Sequence, residues 1–119
     1  MTDKKSVYNL EERTFQFAKL VRLFIKTLPS TMSNMEDGKQ IIRSSGSIGA
    51  NYREANEALS KKDFKFRIKI CRKEAKESLY WLKLIGETND LRNGDEMNML
   101  IKEADEFIKI FSAILKNSR

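Results

Sequence analysis

Apolar residues recur at spacings of three, four and seven in four separate segments. That period belongs to helices with one buried face. No segment of strand length alternates polar and apolar residues between turn signals. The first helical segment runs from about Leu10 to Leu28, with Leu10, Phe17, Val21, Phe24 and Leu28 on one face. Asn9 is placed to cap it, with Glu12 three residues on, and Pro29 ends it at Leu28.

The second segment is expected to begin at Ser33, where Glu36 completes a Ser-x-x-Glu capping box. Its apolar or small face is Ile41, Ser45, Ile48, Tyr52, Ala55 and Leu59. Its middle, Ser44 to Ala50, holds Gly46 and Gly49, and an interior glycine costs a helix about 1 kcal/mol relative to alanine. The helix either breaks there or continues because a neighbour comes close. The unbroken phase from Ile41 to Leu59 predicts continuation.

The third segment starts after Ser60, whose side chain can cap at Asp63, and runs to about Ile85, with Gly86 as its expected stop. Phe64, Ile68, Cys71, Ala75, Ser78, Leu82 and Ile85 form its core stripe. Asn89-Asp90 and Asn93-Gly94 mark a turn. The fourth segment starts near Asp95 and carries Met97, Leu100, Ile101, Ala104, Ile108, Phe111 and Leu115 on one face. Lys116 and Arg119 lie at its end, where cations suit the helix dipole. Short connections make neighbours antiparallel. The expected fold is all-α: a single-domain, antiparallel, up-down-up-down four-helix bundle over 1–119, with residues 1–8 frayed.

Composition narrows the chemistry more than it names it. The 119 residues include no His and one Cys. Without imidazole the usual Ser and Cys triads, His-ligated zinc and the Glu-x-x-His di-iron bundle are excluded. A lone Cys71 excludes an internal disulfide and is compatible with a reducing compartment. The opening MTDKKSVYNL has no apolar run of signal-peptide length, and no stretch reaches the ~20 apolar residues of a membrane span. The chain reads as cytoplasmic.

The charge is local. Residues 61–83 hold nine basic and three acidic side chains, an excess equal to the net +6 of the whole chain. Lys62, Lys65, Lys69, Arg72 and Lys76 follow spacings of three and four and share a stripe about 110° from the Phe64–Ile68 line. A ridge roughly 20 Å long suits either solvent or the backbone of RNA or DNA, and no base-reading module accompanies it. Phe66, Ile70, Trp81 and Leu84 fall off both the core line and the basic stripe. A wide core would absorb them; otherwise they form a subunit interface, the reading preferred here.

Nothing in the sequence composes an active site, and no metal or cofactor is expected. Gly46-x-x-Gly49 lacks the Lys-Ser/Thr end of a phosphate loop and reads as a close helix contact. Glu54, Glu57, Glu74 and Glu77 read as surface or interhelix ion-pair partners, and Cys71 as a small core residue.

Three blocks in order carry a family resemblance: Ser47-Ile48-Gly49-Ala50-Asn51-Tyr52-Arg53-Glu54-Ala55, then Ser60-Lys61-Lys62-Asp63-Phe64, then Lys73-Glu74-Ala75-Lys76-Glu77-Ser78-Leu79-Tyr80-Trp81-Leu82. From about Phe15 to Leu115 the chain resembles the bacterial four-helix bundle proteins encoded in intervening sequences of large-subunit rRNA genes, often labelled S23-type. No ribosomal role follows from that label. The family is similar in fold to the accessory variability protein of diversity-generating retroelements. That relative implies a homopentamer with a basic, nucleic-acid-binding surface and a reverse transcriptase as partner. The resemblance supplies no catalytic residue.

Overall fold

A computed structural model describes residues 9–91 and 94–118. Four helices follow in order: α1 (Leu10–Ile25), α2 (Met32–Asn56), α3 (Lys61–Glu87) and α4 (Asp95–Asn117). There is no strand among the described residues. Each helix packs on the next, and α4 returns to α1 along a thinner seam. None is long and apolar enough to cross a membrane. The expectations for residues 1–8, for Asn93 in the last turn and for Arg119 lie outside the described residues.

The caps set the lengths. Asn9 Oδ1 accepts the Glu12 N–H at 3.4 Å, and Ser60 Oγ accepts the Asp63 N–H at 3.0 Å, both as the spacing predicts. The expected Ser33 box does not form. Thr31 caps α2 instead: its backbone is extended, and its Oγ1 accepts the Asn34 N–H at 3.1 Å. Asn34 is buried and donates to Pro29 O and to Asn89 Oδ1, tying the α1–α2 turn to the far end of α3.

α1 stops at Ile25, three residues before the expected Leu28. There Thr27 and Leu28 N–H groups bond back three residues and Thr27 Oγ1 donates to Phe24 O. α3 runs through Gly86 rather than stopping at it. No glycine here has a positive φ, and Gly86 seats against Met97 of α4. α2 ends at Asn56, so Leu59 falls beyond the helix and is fully exposed, not on the core face.

Phe17, Val21, Phe24, Ile41, Ile48, Ile68, Leu82, Ile85, Leu100 and Phe111 are buried as the stripes predict. Phe107, which the stripe of the fourth segment omits, is fully buried, edge-on to Phe17 at 5.4 Å between ring centres. α2 is continuous through Ser44–Ala50. A Cβ on Gly49 would lie 2.8 Å from Thr14 Oγ1, so the glycine admits α1 to close approach.

Candidate nucleic-acid interface

The Ser60 cap starts α3 early enough that Lys62, Lys65, Lys69, Arg72 and Lys76 all lie on its helical surface. Lys62, Lys69 and Lys76 are exposed; Lys65 and Arg72 are half-buried. None of the five has an ion-pair partner among the described residues. Lys73 and Arg67 of α3 behave differently. Lys73 stands 3.8 Å from Glu74 and 3.5 Å from Glu77. Arg67 donates to Asn51 Oδ1 at 3.1 Å and lies over the Phe66 ring. So on the flank toward α2 the cations of α3 have partners, an acid for Lys73 and an amide and a ring for Arg67, while the five on the opposite flank have no ion pair among the described residues.

The α2 flank is fixed by buried polar contacts. Ser44 and Ser78 hydroxyls bond at 2.9 Å. Arg43 donates to Glu77 at 2.8 Å and stands 3.5 Å from Glu74. Glu74 is buried, and its Oε1 has no hydrogen bond. Attraction to Arg43 reaches that oxygen, but at 3.5 Å without the alignment of a bond. The interhelix-pair reading therefore holds for Glu74 and Glu77. Glu54 and Glu57 are exposed and have no ion pair among the described residues.

The second apolar face of α3 divides. Phe66 is 57% exposed, and Ile70 and Leu84 are half-exposed. Trp81 packs against the core with part of its ring outward, and Tyr80, 59% exposed, meets it edge-on at 4.9 Å. Tyr80 belongs to this patch, and the sequence reading missed it because its phase matches that of Lys62.

Cys71 is buried, and its Sγ–H donates to Ile48 O at 3.5 Å. Burial pushes its thiol up to about 12, away from any nucleophilic form. Among the described residues no group of three or more Cys, Asp or Glu is placed to hold a metal ion.

Two surface grooves escaped the sequence reading. One, of about 530 Å³, lies between α1 and α2, walled by Phe15, Ala18 and Leu23 and floored by Gly46, Gly49 and Ala50. The other lies along the α1–α4 seam, where Arg13 clasps Glu103 with two bonds of 2.7 and 3.1 Å. Those bonds and the nearby carboxylates raise the Arg13 pKa against the cost of burial.

Comparison with known proteins now bears on this surface. A family model described as 23S rRNA-intervening sequence protein matches residues 8–113. The chain belongs to that family. Among curated proteins none matches it. The intervening-sequence chain is also similar to a solved structure from Bacteroides thetaiotaomicron, described as a protein of unknown function from the S23 ribosomal protein family. The two are 33% identical, with a TM-score of 0.80, covering 90% of this chain and 98% of the other. The bundle is thus the family fold, while the relative's description assigns no activity.

Proposed function

We propose that this intervening-sequence protein is a non-enzymatic, homo-oligomeric bundle that binds RNA or DNA through the α3 stripe. One observation carries the reading: five cations share one flank of α3, and none is ion-paired with an acid among the described residues. A polyanion recovers the attraction that the fold leaves unused, and it releases counterions as it binds. The family description ties these proteins to an rRNA intervening sequence, which makes RNA the first nucleic acid to test. Phe66, Ile70, Trp81, Leu84 and Tyr80 form the apolar patch that supports self-association, and the resemblance to the retroelement accessory protein suggests a pentamer. The buried, protonated Cys71 and the scattered carboxylates support a non-enzymatic role.

A second reading, a protein adaptor, is favoured by the apolar α1–α2 groove. The same resemblance makes a reverse transcriptase its candidate partner. One titration separates the two. Fluorescence anisotropy against random-sequence RNA and DNA is measured for the wild type and for a Lys65→Glu, Lys69→Glu, Arg72→Glu variant at two salt concentrations. The binding reading expects a steep salt dependence, with affinity lost equally for all sequences in a variant that stays folded. Undiminished binding by the folded variant, or no wild-type binding at low salt, leaves the adaptor reading in place.

A further inference from the structure

The uncompensated flank of α3 faces α4, and α4 has cations of its own. At one end of the α3–α4 seam, Lys83 and Gly86 of α3 and Asn98 and Ile101 of α4 line a common surface recess. The flanks bearing Lys83 and Asn98 therefore open on the same outer face. Lys65 precedes Lys83 by eighteen residues, and Lys116 follows Asn98 by eighteen. Eighteen residues are five whole turns, so each cation repeats the direction of its in-phase partner about 27 Å along the helix.

The helices are antiparallel, with Gly86 seated on Met97. Nineteen residues back along α3 and nineteen on along α4 bring Lys116 abreast of Arg67, between Lys65 and Lys69 in height. Lys109, by the same count, stands level with Glu74, between Arg72 and Lys76. Both α4 lysines are exposed. Lys116 has no ion pair among the described residues, and Lys109 is held by Asp105 at 3.1 Å. The face thus carries two rows of cations, rooted about 8–10 Å apart on packed helices.

Two rows distinguish between ligands. A single strand presents one line of phosphates, and its binders add aromatic platforms for the bases. Here one exposed ring, Tyr80, shares the direction of Lys62, and it lies against Trp81 at 4.9 Å; Phe66 lies round the helix under Arg67, so the face has no series of platforms for successive bases. A duplex presents two phosphate lines across a groove, and double-stranded RNA is read mainly by shape and backbone.

Resting on the polyanion reading above, we propose that the α3–α4 face docks double-stranded RNA, with Lys109 and Lys116 taking phosphates of the second strand. Asp105 works against this contact by occupying Lys109.

The test uses the full chain and anisotropy titrations with a 20-base-pair RNA duplex, one of its strands alone, and a DNA duplex of the same sequence. Lys109→Gln with Lys116→Gln should weaken duplex RNA binding about tenfold and flatten the log–log salt slope by about two, leaving the single strand unaffected. A Lys19→Gln, Lys26→Gln control removes equal charge from α1 and its C-cap and should change little. Asp105→Asn should tighten duplex binding severalfold, a gain that misfolding cannot mimic. If the α4 variant loses no more than the control while the α3 triple variant loses binding, the second row is wrong and the one-row reading survives. If the α3 triple variant binds like wild type, the polyanion reading itself fails. A single strand or a DNA duplex that binds as tightly as the RNA duplex overturns the choice of ligand.

Discussion

Thr14 Oγ1 fills the space that a side chain at Gly49 would need: a Cβ there would come within 2.8 Å of it and within 3.2 Å of Thr14 Cβ. Thr14 is buried and spends its hydroxyl on Leu10 O at 2.6 Å, so it cannot easily turn aside. Gly49→Ala should therefore destabilise the bundle by ~1–3 kcal/mol, overpacking outweighing the ~1 kcal/mol that alanine brings to a helix. Gly46 has the opposite sign. A Cβ there meets only the guanidinium of Arg22, at 3.1 Å. That is the tip of an exposed side chain, held by bonds to Ala18 O and Ile42 O but able to shift by tenths of an ångström, and Gly46→Ala should be neutral or stabilising by up to ~1 kcal/mol. Urea midpoints of the two variants, at equal slope, decide both.

These two glycines also mark how far the sequence could be read. Their spacing and the unbroken apolar phase sufficed to keep α2 continuous. Which of them touches backbone-fixed atoms and which touches a flexible arm depends on α1, which no local pattern contains. Gly86 shows the same limit. A glycine after an apolar stripe is a fair stop signal, and α3 ends one residue past it; its contact with Met97 belongs to a helix the local pattern does not contain. Thr31 and Ser33 are equivalent caps on paper, and the buried Asn34 bonds settle the choice. The α3 stripe was legible because it lies on one helix. The α4 lysines were not, because their relation to it appears only when the seam is assembled.

Arg43 and Glu74 make an asymmetric pair: the carboxylate is buried, while the arginine is half in solvent. Removing Arg43 leaves a buried charge with only the more distant Lys73 to answer it. Arg43→Met should cost ~1–3 kcal/mol, less than a fully buried pair would lose because its head is exposed. Adding Glu74→Leu should recover most of that loss, because it removes the stranded carboxylate. A double-mutant cycle in urea shows the coupling as strong non-additivity.

Cys71 makes stability fall in alkali. Burial raises its folded value to about 12, against an ordinary 9.0. Between those values the unfolded chain loses the thiol proton and the native chain keeps it. The native state then binds more protons, so stability is complete below pH 9 and declines by ~1.4 kcal/mol per unit above it. Stability curves at pH 8 and pH 10 should differ less in Cys71→Ala than in wild type. Native wild type at pH 8 should also resist a thiol-disulfide reagent until denaturant is added.

The last expectation concerns self-association. Phe66 and Tyr80 are more than half exposed on α3, about 21 Å apart along its axis, with Trp81 against Tyr80 and only partly buried. A patch with three aromatic rings stays in water only at a cost of roughly 25 cal/mol per Å² of apolar surface that a second copy would cover. Light scattering of wild type at micromolar concentration should give a mass several times the 13.9 kDa of one chain. Phe66→Asp places a charge at the N-terminal end of the patch without entering the core, since Phe66 is not among the residues packed against it. That variant should keep its helical circular dichroism and its denaturation slope while its mass drops toward one chain. A wild type that remains at one chain's mass on concentration would assign the patch to solvent. It would also remove the avidity that several α3 stripes on one assembly would bring to a long RNA. Should Phe66→Asp lose its mass and its helicity together, the patch is part of the fold itself; Tyr80→Asp, at the outer edge of the same patch, then separates assembly from folding.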